Sequence, residues 1–198
     1  TNQSAVARVR GDRLVLVNTK DTCITNVKPR NLRQHMVMDT LLDDSIKIVV
    51  ITGRCGTGKT LLVLGAALYK MEQKVYSRLI LTKPMSQVGK YQLGILPGEV
   101  DEKFNPYLDN YMDNIEHLLG GKYKSVKDLV SQYRMDFKPL QLIRGASWQG
   151  AFVICDEVQC LDHHEMVTLG TRVGEGSKII IMGDMRQRDE KILPEKTG

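Results

Sequence analysis

A single α/β domain, a mostly parallel sheet with helices on both faces, is predicted by three features of the 198-residue chain. Short apolar runs suited to buried strands alternate with longer stretches suited to helices, which is the pattern of parallel strands joined by helical crossovers. Gly53-Arg54-Cys55-Gly56-Thr57-Gly58-Lys59-Thr60 falls between one such strand and one such helix, the setting in which G-x-x-x-x-G-K-T is a phosphate-binding loop. Phe152-Val153-Ile154-Cys155 then ends in Asp156-Glu157, placing two carboxylates at the sheet edge where ligands of parallel sheets bind.

The elements follow in order. Arg13–Asn18 reads as a strand, bounded by Gly11-Asp12 and Lys20-Asp21. Pro29 introduces a helix over 31–43, with Leu32, Met36, Leu41 and Leu42 at loosely helical spacing. Ile46–Thr52 is the strand before the glycine loop, and Leu61–Leu68 belongs to the helix after it. Arg78–Thr82 is a second buried strand, stopped by Lys83-Pro84. Residues 85–98 carry Gly89, Gly94, Pro97 and Gly98 and read as a loop. Helices are expected near 101–118 and 125–134, the second opening on Ser125-x-x-Asp128. Leu140–Ile143 and Ala151–Cys155 are expected strands. Asp162-x-x-Glu165 fits a capping box for a helix running to Val173, and Lys178–Met182 is the last strand. There is no internal repeat and no low-complexity linker.

Composition narrows the class. With 42% hydrophobic and 26% charged residues, the chain reads as a soluble globular domain long enough to bury a core. No apolar run approaches the roughly 20 residues of a membrane span, and Thr1–Arg13 lacks the apolar centre of a signal peptide. No membrane partner is expected, and the expected location is cytoplasmic. A net charge of +5 without a long basic block permits nucleic-acid contact without requiring it. Cys23, Cys55, Cys155 and Cys160 show no C-x-x-C spacing and read as free thiols of a reducing compartment.

The motifs specify a chemistry. Glycines let backbone N–H groups curl round a phosphate chain, and the following helix adds its N-terminal partial charge. The expected nucleotide-binding set is therefore Gly53, Arg54, Cys55, Gly56, Thr57, Gly58, Lys59, Thr60 and Leu61. Lys59 reaches the β- and γ-phosphates, and Thr60 takes a position on Mg²⁺. Asp156 is suited to hold Mg²⁺, usually through its waters, and Glu157 to act as general base on the attacking water. A kinase or GTPase-type switch does not need a fixed Glu beside its Mg²⁺ ligand, and Asn-Lys-x-Asp guanine reading is absent: Asn18-Thr19-Lys20-Asp21 has the letters out of order and precedes the loop. ATP hydrolysis with Mg²⁺ is the expected activity. Gln187, following Gly183-Asp184 at the end of the last strand, can touch the γ-phosphate or the attacking water; Asp184 can equally be a turn former.

Other candidates have plainer readings. Adjacent His163 and His164 on a helix point about 100° apart, which suits a solvated helix start better than a shared metal. Trp148 is more in keeping with packing than with base stacking, and Met36, Met38 and Met166 with the core than with a site. Arg172 fits either an arginine finger offered to a neighbouring subunit or a local structural contact.

At this point the residues resemble a known family, the PhoH-like (phosphate-starvation-inducible) ATPases, a group that also occurs in phages. The resemblance runs from about Asn31 to the C-terminus. It rests on the phosphate loop, Leu81-Thr82-Lys83-Pro84, Gly94-Ile95-Leu96-Pro97-Gly98 followed by Glu102-Lys103 and Pro106-Tyr107, Asp156-Glu157-Val158-Gln159, and Thr171-Arg172-Val173-Gly174 ahead of Gly183-Asp184. The Leu-Pro-Gly segment is the most family-specific. The family's likeness to one RecA-like core of superfamily-one helicases implies further roles. Asn31-x-x-Gln34 resembles the adenine-reading Q motif, although a helix-start Asn and a surface Gln explain the same pair. Gln159 resembles a residue coupling hydrolysis to strand movement, and Lys83 one contacting a single-strand backbone. Lys83 stands where many relatives carry Arg, and Arg144-Gly145-Ala146-Ser147 keeps only part of a more basic pattern. Residues 1–30 are expected to be an N-terminal extension, too short for the PIN nuclease domain of some relatives. Residues 31–198 are expected to form the ATPase domain, stopping short of a last strand or helix.

The resemblance implies ATP turnover coupled to RNA or single-stranded nucleic acid, as in an RNA helicase. A single core would need a homo-oligomer, such as a ring, to supply an arginine in trans. The alternative is an ATP-dependent switch or accessory ATPase acting on a protein partner such as a nuclease, without helicase activity.

Overall fold

A computed structural model of the chain describes residues 5–17, 26–84, 111–120, 126–140, 143, 145 and 147–187. Its centre is a five-stranded sheet of β3 (Ile48–Thr52), β4 (Arg78–Lys83), β5 (Met135–Pro139), β6 (Ala151–Cys155) and β7 (Lys178–Gly183). The strand order is β3-β7-β6-β4-β5, and every neighbouring pair is parallel. The phosphate loop leaves β3 and the Asp-Glu pair leaves β6, so one strand, β7, separates them. This is the fold expected of a RecA-like P-loop NTPase domain.

Strand alternation sorts the core into two layers, because successive side chains point to opposite faces. Val49, Ile51, Leu79, Leu81, Phe152, Ile154, Ile180 and Met182 line one face with α1 (Leu32–Leu42), α2 (Lys59–Glu72) and α3 (helical residues 111–119). Ile80, Val153, Cys155 and Ile179 line the other with Trp148 and α5 (His163–Arg172). β6 lies inside the sheet and is buried throughout. β3 forms an edge among the described strands, so Val49 and Ile51 are buried while Ile48 and Val50 are exposed.

The helices follow from their buried stripes. α2 buries Leu62, Val63, Leu64 and Leu68, each contributing about 1.5–3 kcal/mol. α3 buries Tyr111, Ile115 and Leu118, one helical stripe. Asn31 caps α1 by accepting the Gln34 N–H, and the Asp162–Glu165 capping box of α5 is present in full. Lys178 closes the other end of α1: its Nζ donates to the carbonyls of Thr40, Leu41 and Asp43 at 2.9, 2.7 and 2.9 Å. Burial pulls its pKa down to about 8, which leaves the ammonium charged at neutral pH.

Several expectations change. The strand expected over Leu140–Ile143 lies earlier, as β5. Its alternation of Met135 and Phe137 against Asp136 and Lys138 is that of a half-buried edge strand, paired among the described strands with β4 alone, which Pro139 disguises as a break. Leu140 falls just past it, and residues 141–142 lie outside the described residues. Near the N-terminus the expected strand is one arm of a hairpin, β1 (Ala7–Arg10) with β2 (Arg13–Leu16), turning at Gly11 with φ 62. Arg8 pins this hairpin to α1 through Asp39 and Asp43. Met36 is exposed rather than core, whereas Met38 is fully buried. The helix expected near 125–134 is shorter, observed as α4 (Val126–Gln132). The loop over 85–98, the start of the helix near 101–118 and Ser125 lie outside the described residues.

Candidate active site

The phosphate loop joins β3 to α2 at the sheet edge where the strands end. Gly56 and Gly58 hold φ of 75 and 81, backbone that a side chain would strain. Thr57 Oγ1 donates to Arg54 O at 2.8 Å, closing the loop on itself. Lys59 Nζ donates to the carbonyls of Gly53 and Arg54, so its ammonium lies folded back along the loop. A cleft of about 260 Å³ opens over the segment from Cys55 to Leu61 and reaches Asp156, Glu157, Gln159 and Gln187.

Thr60 Oγ1 donates to Asp156 Oδ2 at 3.1 Å, bringing residues 96 positions apart into one site. The other Asp156 oxygen accepts the Glu157 N–H at 2.9 Å. Glu157 sits in the left-handed region, φ 57 and ψ 35. Such backbone is uncommon for a residue with a side chain and concentrates at functional sites. It ends β6 abruptly and starts the single 3₁₀ turn Val158–Cys160. Two hard oxygen donors beside a phosphate loop fit Mg²⁺, which commonly takes one or two protein ligands and completes its shell with phosphate and water.

The end of β7 locks the loop from below. Asp184 Oδ2 accepts the Cys55 N–H at 2.9 Å, and Oδ1 accepts the Arg186 N–H at 3.0 Å. The Arg186 N–H, with that of Cys55, holds the Asp184 carboxyl below the ordinary carboxylate range against the cost of desolvation. Read from the sequence as a turn former or, with Gln187, as part of a γ-phosphate sensor motif that the family resemblance implies, Asp184 also anchors the loop. Gln187 lines the cleft, its own N–H turned back to Asp184 O at 2.9 Å.

A second cleft of about 650 Å³ lies on the other side of the loop, lined by Asn31, Gln34, Gly53 and Arg54 among others. Gln34 Nε2 donates to Thr57 O at 3.2 Å while its Oε1 accepts the Arg30 N–H at 2.6 Å. One N–H and one lone pair of the Gln34 amide are thus engaged by the loop and the helix start, leaving the others open, and Asn31 is the cap of α1.

Three candidates sit differently from the rest. Lys83 is only 14% exposed, and its Nζ lies 4.0 Å from Glu157 Oε1. Gln159 is buried, and its Oε1 accepts the Asp184 N–H at 3.0 Å. Arg172 ends α5, where its carbonyl accepts the Trp148 N–H at 2.8 Å. That is the edge at which β6 and β7 begin, opposite the cleft. Trp148 is buried, in keeping with packing, and His163 and His164 are exposed. Among the described residues no cluster of His, Cys, Asp and Glu forms a metal site of its own, and no helix is long and apolar enough to cross a membrane. One cleft residue escaped sequence reasoning, Asn114 of α3; Tyr111, one turn earlier, lies in the core. A helix spacing of apolar residues marks Tyr111 as core, and nothing in the local pattern shows that Asn114 reaches the cleft.

Comparison with known proteins agrees with this geometry. A family model described as "PhoH-like protein" matches residues 26–198. "Protein PhoH2" of Bacillus subtilis is 42% identical over 176 residues, 87% of this chain and 40% of the relative. "Protein PhoH2" of Mycolicibacterium smegmatis is 33% identical over 186 residues, 93% of this chain and 42% of the relative. A "PhoH-like protein" of Mycobacterium tuberculosis is 34% identical over 163 residues, 82% of this chain and 45% of the relative. The chain thus spans less than half the length of each of these relatives.

Proposed function

The chain belongs to the PhoH-like family of P-loop, ATPase-like proteins, and from that premise we propose that it hydrolyses ATP with Mg²⁺. The observation that carries this is the 3.1 Å contact between Thr60 and Asp156, which sets the phosphate loop against a strand end bearing Glu157.

Lys59 turns from the loop carbonyls to the β- and γ-phosphates and offsets their charge. Thr60 and Asp156 would hold Mg²⁺, which when bound neutralises charge on the phosphate oxygens. Glu157, 47% exposed on its side chain, faces the cleft and takes a proton from water as that water attacks the γ-phosphorus in line and ADP leaves. Gln187 contacts the γ-phosphate or the water. Catalysis of this kind is positioning and electrostatics. The larger cleft takes the base, with adenine preferred, and Gln34 ties that cleft to the loop. Phosphate release from ATP by the purified chain, with and without Mg²⁺, tests the proposal; a rate no higher than that of Lys59→Ala sinks it.

Coupling to RNA or single-stranded nucleic acid in a homo-oligomer is the accompanying proposal. Among the described residues lining the smaller cleft, Lys59 is the one basic side chain, so an arginine from a second copy would complete it; Arg172, at the far edge of the sheet, would serve a neighbour rather than its own cleft. The inward Lys83 favours a second reading, an ATP-dependent switch acting on a protein partner. Turnover measured at low salt against single- and double-stranded RNA and DNA separates the two, since phosphate contacts are strongest there. Sedimentation with and without ATP tests the oligomer.

A further inference from the structure

The larger cleft holds no ring for a base to lie on. It measures about 650 Å³, room enough for a nucleoside, yet none of the described residues lining it is aromatic. A nucleobase is a flat π-surface, and stacking is the ordinary way a protein holds it. What the cleft offers instead is planar cations. Arg33, Arg54 and Arg186 all line it, and a guanidinium plane stacks on an aromatic face with an added attraction for its charge.

Two of the three stand on different walls. Arg33 lies in the first turn of α1, one helical turn before Val37, which lines the same cleft. Arg186 follows Met185 in the turn past β7, and Met185, 57% exposed, adds apolar surface. Arg54 belongs to the phosphate loop itself. Arg33 and Arg186 are exposed, and neither guanidinium forms an ion pair among the described residues. The one acid lining the cleft, Asp184, gives its oxygens to the backbone N–H groups of Cys55 and Arg186. Holding the triphosphate is the competing use of these cations. Thr60 and Asp156, however, line the smaller cleft and not this one, which sets the phosphate chemistry on the other side of the loop.

We propose that Arg33 and Arg186 are specificity-determining residues that hold the base by stacking, so that the larger cleft is a purine slot. The inference rests on the nucleotide-site reading above and says how its base end works. Stacking area favours two-ring purines over one-ring pyrimidines. It does not separate adenine from guanine. That choice falls to hydrogen bonds, for which Gln34 keeps one N–H and one lone pair.

The test uses Arg33→Lys, Arg186→Lys and the double variant, which keep the charge and remove the plane. Each is titrated calorimetrically beside the parent with ATP, CTP and inorganic tripolyphosphate, all with Mg²⁺. The parent should bind ATP about tenfold more tightly than CTP, and the double variant should lose about tenfold in ATP affinity. Tripolyphosphate, which has no base, should bind parent and variants within about twofold of one another. The melting temperature should not move, because both side chains are exposed. Unchanged ATP affinity in the double variant overturns the proposal. So does an equal loss for tripolyphosphate, which would assign the arginines to phosphate, or a parent that binds CTP as tightly as ATP. A parent that binds neither ATP nor tripolyphosphate overturns the nucleotide-site reading itself, and this inference with it. A parent that binds both with equal affinity leaves the phosphate loop standing and removes the base slot.

Discussion

Gln159 Oε1 accepts the backbone N–H of Asp184 at 3.0 Å inside the protein, joining the turn after Glu157 to the end of β7. Asp184 in turn holds the Cys55 N–H of the phosphate loop. A short chain of hydrogen bonds therefore runs from Gln159, two residues past Glu157, to the phosphate loop. Gln159→Leu leaves the Asp184 N–H buried and unpaired, at a cost of about 1–3 kcal/mol. It should lower kcat about tenfold with a smaller effect on nucleotide affinity, in steady-state phosphate release and nucleotide titration. Gly183→Ala should act alike, since an added Cβ would lie 2.8 Å from Gln159 Oε1.

Lys83 and Glu157 form a pair at 4.0 Å in which the carboxylate is half exposed. Such pairs contribute about 0–1 kcal/mol to stability, so the effect of Lys83 should fall on turnover. Lys83→Met is expected to change basal kcat about five- to tenfold while shifting the urea-unfolding free energy by less than about 1 kcal/mol. If Lys83 instead contacts a nucleic-acid backbone, the basal rate stays put and only the nucleic-acid-stimulated rate drops.

Lys178 satisfies three carbonyls at the end of α1. Lys178→Met should destabilise the chain by about 2–4 kcal/mol, as removal of a buried charged donor leaves acceptors unpaired. The loss should be visible as a lower urea midpoint. Because Gln34, on the same helix, bonds the loop at Thr57, nucleotide affinity should fall as well.

Acid should loosen two contacts. The Ser45 hydroxyl, then Arg8, holds the Asp43 carboxyl far below its ordinary range, and the Arg186 N–H, aided by Cys55, lowers that of Asp184. A carboxyl lowered in the folded state contributes stability above its unfolded pKa, near 4, and loses it as pH falls toward the folded value. Unfolding free energy should therefore decline below about pH 4. Asp43→Asn should flatten part of that decline; an identical acid limb in the variant would rule out Asp43 as a source.

The parts of the site written in contiguous residues were legible from the chain alone. The phosphate loop, Asp156-Glu157 and the capping box at Asp162 each depend on spacing within a few residues. Lys83, Gln159 and Asn114 were not legible in the same way. Their places at the site depend on contacts across the sheet or on a separate helix, and a buried Gln has the same local pattern whether it serves the core or the cleft. Asn31 and Gln34 show the middle case: the helix start was readable, yet the bond from Gln34 to the loop needs the tertiary approach of α1 to Thr57. β5 was misplaced because an edge strand with Asp136, Lys138 and Pro139 looks polar and broken until β4 is set beside it.

If Glu157 is the base of the proposed ATPase, removing its carboxylate should spare nucleotide binding and slow hydrolysis. The most direct measurement is Mg²⁺–ATP binding and single-turnover hydrolysis by Glu157→Gln beside the parent. ATP affinity should stay within about threefold of the parent while the hydrolysis rate falls by about 10²–10⁴-fold, the usual range for a general base. Hydrolysis by Glu157→Gln at the parent's rate would contradict the assignment of Glu157 as base.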